Sequence, residues 1–594
     1  MKKSVLFLFA GAFALNALAA TNITTPTVSG NWTVSGSPYK VFNNIIVNTG
    51  SYLYIAPGVE VIFQGDYRLT VAGGMRAVGT AAQPILFHVQ DTTGWYNPAT
   101  TNGGWGGIFF DTYYGVYHGY APDSSTFEYC RVYDMKSDDG FALFYRAMHI
   151  KNCEFFHNNK RTIAVNLNSV LTFEMSNCKI YNNRNNSNMI VSVLEGTTNI
   201  HDCELFNNVA STNCISIFNG TVIFKNNKLY KNRQTGITPG SALMFNGCTA
   251  LIEKNTVYEN VATMNGPIAL WDSRGDVVGN YVCNNQSTAI DDGSGTCGSV
   301  QGGGGIRLQS STAPAGYSYT LRNNIVANND AAFGGGGIYI MDAEAYLYNN
   351  LIINNTGYFG GGVYMSNAFG KPAAFKNNIF YNNVSYHGGA DTADLFIPMA
   401  ANFGFDHNWC RSTFSRNLGT SPAFTGTLTS DTATNVIGAL PGIKAPTNTP
   451  GCSVLANSAD FRLKPGSACI DAGDTTGTMT PATDYYGNAR FFGSKVDIGA
   501  CEFDPALITA IVPSNDKKQP GLSVYPNPAV DYVFIELPMA KGTVSLVDIS
   551  GRIIVQKSVT NKITDILVHG LPSGVYQCIW NHSSETLSGK IVIE

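Results

Sequence analysis

The sequence predicts an all-β protein, a right-handed parallel β-helix followed by a small C-terminal β-sandwich. Three observations predict this. A phrase of one apolar residue, two variable residues and Asn recurs nine times, and most of its steps are 24 to 28 residues long, a period typical of stacked repeats. Only 13% of residues are charged, whereas Gly (62) and Tyr (30) are abundant, as in strands and turns. The last segment, 520–594, changes to a hairpin pattern.

The repeated phrase predicts a ladder of turns. Its Asn residues follow one another in steps of 25, 25, 24, 28, 25, 44, 26 and 28 residues. Asn tolerates the left-handed backbone at a sharp turn, and its amide can bond to the same group one coil away. Leucine-rich repeats have a similar period, but the several Leu at fixed offsets that they need are missing here. The nine Asn residues are Asn158, Asn183, Asn208, Asn232, Asn260, Asn285, Asn329, Asn355 and Asn383.

The N-terminal segment 1–19 is predicted to be a secretory signal peptide. Lys2 and Lys3 precede an apolar run, and Ala17-Leu18-Ala19 provides an A-x-A cleavage site. A membrane anchor is the alternative, but the apolar run is shorter than the roughly 20 residues of a membrane span. The β-helix with its N-terminal cap is then expected at 20–415, with about three short strands in each coil.

Thirteen cysteines in an exported chain suggest disulfides, but four of them fit another role. Cys130, Cys153, Cys178 and Cys203 occupy one slot of successive repeats, and Asn fills that slot in the later repeats. Neighbouring coils are about 4.8 Å apart, which is wider than the roughly 3.8 Å between the Cβ atoms of a disulfide. The sequence therefore predicts a stack of buried thiols.

The 44-residue step, between Asn285 and Asn329, contains an insertion. Loops added to one coil of a solenoid commonly build its binding surface, so this insertion is the first place to expect one. Glycine runs lie at Gly302–Gly305, Gly334–Gly337 and Gly360–Gly362. Glycine at a tight corner explains them better than a phosphate cradle, because no helical pattern follows.

Two resemblances cover the central chain. Roughly residues 40–415 resemble right-handed parallel β-helix proteins of the pectate-lyase-like class and the repeats of bacterial polymorphic outer-membrane proteins. Within residues 416–506, the stretches 460–473, 484–490 and 496–503 resemble the choice-of-anchor Q segment that closes many bacterial surface β-helices. Cys469 and Cys501 depart from that pattern together, which suggests a disulfide between them.

After a linker at 507–519, residues 520–594 resemble a type IX secretion C-terminal sorting domain (type A) of Bacteroidota. Four motifs occur in order, at 522–528, 544–552, 571–576 and 590–593. The resemblance implies recognition by the type IX secretion machinery, removal of the domain, and attachment to the outer-membrane surface or release. A purely structural sandwich is the alternative. The motif residues that the resemblance implies are Tyr525, Pro526, Asn527, Pro528, Gly551, Gly574, Tyr576 and Lys590.

Catalytic candidates are few. A polysaccharide lyase needs a base such as Lys or Arg and usually carboxylates that hold Ca²⁺, and a glycoside hydrolase needs two carboxylates. Asp291 and Asp292 near Arg307 form one candidate set. A second set combines Asp138 and Asp139 with Arg146 and Lys160. Because Gly follows each Asp pair, ordinary turns explain both pairs better than catalysis does.

The sequence therefore favours a non-enzymatic surface adhesin or glycan-binding β-helix, whose glycan or host-protein partner it does not name. A polysaccharide lyase or glycoside hydrolase is the alternative, and a purely structural surface-layer component is a third hypothesis. The net charge of -4 and the lack of a basic stripe exclude nucleic acid as an expected partner. No cofactor is expected, with Ca²⁺ relevant only to a lyase. Aromatic residues for sugar stacking or cap packing cluster at Trp95, Trp105, Tyr113, Tyr114, Tyr117 and Tyr120.

Overall fold

The computed structural model divides the chain into two units, at residues 503/504. It describes residues 20–111, 125–236, 238–288, 302–311, 317–366, 371–386, 394–399, 402–410, 427–430, 434–456, 459–476, 482–505 and 522–593, the last range with gaps at 526, 528, 530–531, 538, 549–550, 561, 569 and 583–584. The predicted signal peptide therefore lies outside the described residues. No helix in the described part of the chain has the length and apolarity to span a membrane.

The first unit is a parallel β-helix, as predicted. Strands from successive coils stack into four parallel sheets, here named sheets A to D. Through most of the repeat, the chain passes through sheets C, A, D and B in turn. Sheet D, with strands of two or three residues, was not anticipated, because a strand this short leaves no alternating pattern in the sequence.

Sheet A contains Thr21–Ile23, Tyr39–Val41, Glu60–Phe63, Ile85–Val89, Cys130–Tyr133, Glu154–Phe156, Lys179–Tyr181, Glu204–Phe206, Lys228–Tyr230, Thr256–Tyr258, Tyr281–Cys283, Ile325–Ala327, Leu351–Ile353, Ile379–Tyr381, Trp409–Cys410 and Val436–Ile437. Sheet B contains Ile45–Val47, Leu69–Val71, Ile108–Asp111, Phe141–Phe144, Ile163–Asn166, Val191–Leu194, Ile215–Phe218, Leu243–Asn246, Ile268–Trp271, Ile306–Gln309, Ile338–Met341, Val363–Ser366 and Leu395–Met399.

Sheet C contains Gly30–Trp32, Tyr52–Ile55, Gly74–Val78, Thr126–Glu128, Met148–Lys151, Thr172–Ser176, Thr197–His201, Thr221–Lys225, Thr249–Glu253, Arg274–Val278, Ser318–Arg322, Glu344–Tyr348, Pro372–Lys376, Asn402–Asp406 and Thr427–Ser430. Sheet D contains Lys136–Ser137, Asn159–Lys160, Arg184–Asn185, Val209–Ala210, Arg233–Gln234, Val261–Thr263, Gln286–Thr288, Asp330–Ala331, Thr356–Gly357 and Val384–Ser385. A 3-10 turn, Val34–Gly36, lies near the start.

Alternation along each strand puts apolar side chains inside the coil. The middle residues of the sheet A strands, such as Phe155, Ile180, Leu205 and Leu229, are at most 1% exposed. Because the strands pair in register, each of these side chains lies above the equivalent one of the preceding coil. The core is therefore a continuous apolar column along the solenoid axis.

The nine repeated Asn residues form the predicted ladder. Each side-chain amide donates to the Oδ1 atom of the next ladder Asn, with N–O distances of 2.9 to 3.0 Å. Each amide also donates to a backbone carbonyl inside the coil, as Asn208 does to Ile180 at 2.9 Å. The ladder ends where Asn383 donates to the Asp394 carboxylate at 2.9 Å.

The sequence predicted a left-handed backbone at the ladder Asn itself, and this prediction was wrong by one residue. The left-handed backbone belongs to the residue before each ladder Asn, as at Asn182 (φ 54°) and Asn207 (φ 54°). The ladder Asn itself turns inward and is almost fully buried, as at Asn183 and Asn208. The left-handed residue therefore makes the corner, and its own side chain points outward.

The second slot is a thiol stack that continues as an Asn ladder, as predicted. Cys130, Cys153, Cys178 and Cys203 are free and buried. The Sγ atom of each later thiol accepts the backbone N–H of the thiol before it at 3.4 Å. Burial raises the pKa of Cys178 well above its usual range, so the stack holds neutral thiols. After Cys203 the same position is occupied by Asn. The Cys203 backbone N–H donates to Asn227 Oδ1 at 2.9 Å.

The glycine runs mark corners where successive coils touch. A Cβ atom on Gly304 would lie 2.1 Å from the carbonyl oxygen of Gly336, and one on Gly336 would lie 2.3 Å from that of Gly361. Contact of this kind excludes every larger residue. The runs are therefore required by backbone packing, which is the role expected for them.

Residues 438–503, here called the cap, pack against the outer face of sheet A rather than only across the end of the solenoid. Its own strands, Ile443–Ala445 and Asp460–Leu463, pair antiparallel. A second apolar core lies between the cap and the later sheet A strands. This core includes Ile325, Ala327, Leu351, Ile353, Ile379 and Trp409 of the solenoid with Ile443, Phe461, Leu463, Ile498 and Ala500 of the cap.

The second unit contains two antiparallel sheets. One has the strands Ser523–Tyr525, Tyr532–Glu536 and Ile563–Leu567, and the other has Gly542–Val547, Ile553–Val559, Gly574–His582 and Glu585–Ile593. Their inward apolar residues form a separate core. The all-β prediction of a β-helix followed by a small C-terminal β region is confirmed.

Candidate functional site

The first catalytic set is only partly described. Asp291 and Asp292, like most of the insertion, lie outside the described residues. Arg307 is the second residue of a sheet B strand and projects from the outer face of that sheet. Its Nη1 atom donates to the Met264 carbonyl (2.7 Å) and to Asn265 Oδ1 (2.8 Å), and Nη2 donates to Gln309 Oε1 (2.6 Å).

Arg307 is a buried cation between two rings. Its guanidinium carbon lies 5.2 Å from the Trp271 ring centroid and 5.3 Å from that of Tyr339, so both faces of the group are covered. The side chain is 4% exposed. Burial lowers the pKa of Arg307 to about 10, which still leaves it protonated at neutral pH. A protonated and enclosed guanidinium does not offer a proton acceptor to a substrate.

The second catalytic set does not converge. Asp138 is exposed and pairs with Lys160 at 3.2 Å. The Arg146 guanidinium instead donates to the carbonyls of Ala72 and Gly73, each at 2.8 Å, on an earlier coil. Three of the four residues, Asp138, Lys160 and Arg146, thus serve two separate contacts.

The predicted aromatic cluster is packed where it is described. Trp95 stacks on His157 with ring centroids 3.9 Å apart, and Trp105 stacks on Phe63 at 4.2 Å. Both indoles are buried, so their faces are not available to a sugar. The other members lie outside the described residues, namely Tyr113, Tyr114, Tyr117 and Tyr120.

A ligand-sized cleft lies on the outer face of sheet B, at its N-terminal end. Its volume is about 530 Å³, within the range of small-molecule sites. Ile46 and Phe109 provide apolar lining, and the polar lining comes from loops and from the strand that contains Leu69. The full lining is Asn44, Ile46, Asp66, Arg68, Thr70, Gly106 and Phe109.

The polar groups of this cleft combine one carboxylate, one guanidinium, one amide and one hydroxyl. The Arg68 guanidinium lies 5.1 Å from the Phe109 ring centroid, and the Arg68 backbone N–H donates to Asn44 Oδ1 at 2.9 Å. Asp66 is the exposed carboxylate and the single one in the lining. Such a set can bond to sugar hydroxyls, but it lacks the carboxylate pair of a glycoside hydrolase.

The sequence did not indicate this cleft. Its residues come from the first three coils, which precede the repeated phrase, and the stretch Asp66-Tyr67-Arg68 matches no motif. The one available signal was an oppositely charged pair in a turn between two strands, which is common on protein surfaces.

A second polar cluster lies between the solenoid and the cap. Ligand atoms of Asp406, His407 and Asp474 lie within 4.8 Å of one another. The Lys376 ammonium contacts the Asp474 carboxylate directly and lies 3.7 Å from Asp406. Burial opposes ionisation, but Lys376 and Thr476 together lower the pKa of Asp474 to about 2. Lys376 thus provides the positive charge that balances these acids.

The sorting-domain residues have structural roles where they are described. Asn527 Nδ2 donates to the Lys590 carbonyl at 2.8 Å, and Asn527 Oδ1 accepts the N–H of Val592 at 2.8 Å. This exchange ties the first motif to the last strand. The Tyr576 hydroxyl donates to the Pro572 carbonyl at 2.8 Å. Gly551 has a positive φ of 84° in a turn, and Gly574 begins the strand that contains Tyr576.

Two motif residues, Pro526 and Pro528, lie outside the described residues, as does the side chain of Tyr525. In the cap, Cys469 and Cys501 are buried and unbonded. Burial is the main cause that raises the pKa of Cys469 to about 12. A disulfide between them stays a prediction, which non-reducing mass spectrometry of the exported protein would test.

Two family models match separate parts of the chain. Residues 188–436 match the model of the right-handed β-helix region, and residues 523–594 match that of the secretion system C-terminal sorting domain. The protein is therefore a right-handed β-helix that carries a type IX secretion sorting domain. It is a secreted protein, sorted through its last domain.

No curated protein matches the chain. Among solved structures it is similar to the periplasmic alginate epimerase AlgG, with 10% identity and a TM-score of 0.30, over 70% of this chain and 84% of that chain. It is also similar to XylC in complex with xylose, with 10% identity and a TM-score of 0.25, over 86% and 95% of the two chains. Similarity at this level does not indicate what this protein binds.

Proposed function

We propose that this protein is a non-enzymatic, glycan-binding protein displayed at the cell surface or released from it. The cleft formed by Asn44, Asp66, Arg68 and Thr70 over Ile46 and Phe109 is the observation that carries the proposal. Polar groups that converge above an apolar lining are typical of small-molecule sites. An extracellular polysaccharide is the ligand class that suits hydroxyl-bonding groups on an exported protein.

The same residues favour binding over turnover. The cleft has one carboxylate, Asp66, where hydrolysis of a glycosidic bond uses two. Arg307, the described residue of the first predicted catalytic set, is enclosed and protonated. The proposed role at the surface therefore depends on recognition, and the type IX secretion machinery is the partner for export.

Affinity for polysaccharides tests the proposal. The purified full chain is applied to a glycan array and to a panel of soluble polysaccharides, beside a double variant with Asp66→Asn and Arg68→Gln. Each change weakens charge-assisted hydrogen bonds worth about 1.5–3 kcal/mol, so affinity for the retained polysaccharide should fall at least about tenfold.

Asp276→Asn with Arg322→Gln is the matched control, because this half-buried pair lies on sheet C, is joined at 3.2 Å and should leave binding unchanged. Failure of the full chain to retain any polysaccharide would overturn the proposal. So would equal affinity of the cleft variant and the full chain. Release of reducing ends or of unsaturated products would overturn the non-enzymatic part.

A further inference from the structure

The outer face of sheet A carries a continuous stack of rings in the N-terminal part of the solenoid. Neighbouring ring centroids are 4.8 to 5.1 Å apart and neighbouring planes are within 14°. The stack ends where the cap begins. Its members are His88, Tyr133, Phe156, Tyr181, Phe206, Tyr230 and Tyr258.

Because each ring covers the next, the stack presents edges and hydroxyl groups to solvent rather than ring faces. Burial, with a smaller effect of Glu204, raises the pKa of Tyr230 to about 12. Burial and Asp134 raise the pKa of Tyr133 to about 12. These phenols stay neutral in the physiological range and can donate hydrogen bonds.

A row of alternating charge runs beside the rings. Glu154 lies 3.5 Å from Arg131, and Glu204 lies 3.2 Å from Lys228. The Tyr181 hydroxyl donates to Glu154 at 3.1 Å. Because neighbouring coils compensate each other's charge, the row attracts neither strongly acidic nor strongly basic ligands.

Outward amides at the left-handed corners border the rings. Under the cap, the equivalent corner residues hold a segment of the cap at 447–454. Asn354 donates to the Thr447 carbonyl at 2.6 Å, and Asn328 donates to that of Thr449 at 2.9 Å. Asn284 donates to the Val454 carbonyl at 2.6 Å. One chain segment, with bends and a turn, thus already crosses successive corner amides along the axis.

Beside the rings, the same corner positions are exposed. Asn182 and Asn207 border one side, and Asn177 and Asn226 border the other. No hydrogen bond from these four side chains is found in the described residues. Asn182 and Asn207 lie on successive coils, about 4.8 Å apart, whereas Asn177 and Asn226 are separated by the coil that carries Asp202 at this corner. We name these four amides, the rings Tyr181, Phe206 and Tyr230, and the charges Lys179, Glu204 and Lys228 the ring face.

We propose that the ring face binds a neutral, linear polysaccharide laid along the solenoid axis, with about one sugar unit for each coil. The proposal rests on the glycan class of the proposed function, but it places a second, elongated site on another sheet. A polymer of identical units meets a ring edge and a compensated charge on successive coils, and it meets corner amides at Asn182 and Asn207 on one border and at Asn177 and Asn226 on the other. The spacing of 4.8 to 5.1 Å between rings is similar to the length of one unit in an extended β-linked chain.

A peptide fits this surface less well. Under the cap, the outward position that the rings occupy elsewhere is filled by small residues, Cys283 and Ala327. The cap segment can therefore come close to the corner amides beside them. Phe206 and Tyr230 would hold a peptide backbone farther from Asn207. A sugar chain is wider and carries hydroxyl groups on both edges, so it can reach the amides on both borders.

Oligomer length tests the inference. Cello-oligosaccharides of two to about eight units are titrated by calorimetry into the full chain. Affinity should rise with length and level off at about six or seven units, because the stack contains seven rings. The hexamer should bind at least about tenfold more tightly than the dimer. Oligogalacturonides of equal length should bind more weakly.

The matched variant replaces Asn182 and Asn207 by Gly, which keeps the left-handed corners and removes both amides. It should lower hexamer affinity about tenfold, while the control Asn219→Gly, at an exposed left-handed corner (φ 55°) after sheet B, should not. A length-independent affinity, or equal affinity of both variants, would overturn the inference. Cleft-dependent binding without length dependence would leave the proposed function standing, whereas absence of any polysaccharide binding would remove both.

Discussion

The outer face of sheet A exists in two forms, uncovered in the N-terminal part of the solenoid and covered by the cap in the C-terminal part. In the uncovered part, the outward row carries large rings such as Phe206 and Tyr230, half-buried by one another. In the covered part, the same row carries Ala327 and Ile353, which are fully buried. The backbone is the same in both, so the side chains of this row decide whether another chain segment can pack on the sheet.

The corner residues show the same difference. Asn328 is fully buried and bonds to the cap, whereas Asn207 occupies the equivalent corner and is exposed. Both have φ near 54°. Asn therefore makes the turn in both parts, and its outward amide donates hydrogen bonds where the cap lies next to it.

The largest effect that separates the two parts should come from removing a buried ring under the cap. Trp409 is 2% exposed and its Nε1 donates to the Ala439 carbonyl at 2.7 Å. Trp409→Ala should lower the free energy of unfolding by about 3–5 kcal/mol, as for other buried aromatic residues. Phe206→Ala in the uncovered part should cost about 1–2 kcal/mol, because its edge is already solvated.

Denaturant unfolding followed by a probe in each part measures both variants. An equal decrease in the free energy of unfolding for Trp409→Ala and Phe206→Ala would contradict the difference between the two parts. It would mean that the rings pack as tightly as the core under the cap.

The second effect is pH dependence confined to the covered part. In the cap, Glu502 lies 3.6 Å from Arg490, and both side chains are 1% exposed. Burial, opposed by Arg490, raises the pKa of Glu502 from 4.5 to about 8, and burial raises that of Asp497 to about 6. A carboxyl whose pKa is raised on folding stabilises the fold at acid pH, and this contribution is lost as pH rises through the folded value.

The cap should therefore lose at least about 2 kcal/mol of stability between pH 5 and pH 8.5, because both carboxyls must give up their protons in a buried site. Hydrogen exchange should show faster opening near Asn328 relative to Asn207, after correction for intrinsic rates. Glu502→Gln remains neutral and should reduce this dependence, and an unchanged slope in that variant would rule out Glu502 as its source.

The sequence predicted the solenoid because its repeats leave a periodic record. The ladder at Asn158 to Asn383 and the thiol slot at Cys130 to Cys203 follow from stacking alone. Other features left no such record. The left-handed residue precedes the ladder Asn, and its identity varies among Asn, Lys, Glu and His. No single residue type therefore identifies this position in the sequence.

The sites were harder to predict than the fold. The cleft at Asp66 and Arg68 depends on coils before the repeat, and the position of the cap on sheet A depends on which outward side chains are small. Arg307 was predicted as a catalytic candidate from its neighbours in the sequence, whereas its role depends on Trp271 and Tyr339 from adjacent coils. Contacts between coils appear in the sequence only when the same residue type repeats.

The smallest effect gives the sharpest comparison, because one substitution is made at equivalent corners. Asn354→Gly removes hydrogen bonds to the Thr447 carbonyl and hydroxyl, at 2.6 and 2.7 Å, and should cost about 1–2 kcal/mol. Asn182→Gly removes an exposed amide from a left-handed corner that Gly also favours, and should change stability by less than about 0.5 kcal/mol. Paired denaturation curves decide the matter. A loss at Asn182 as large as that at Asn354 would mean that the exposed amide has a partner within the chain, and the uncovered corners would no longer be free for a ligand.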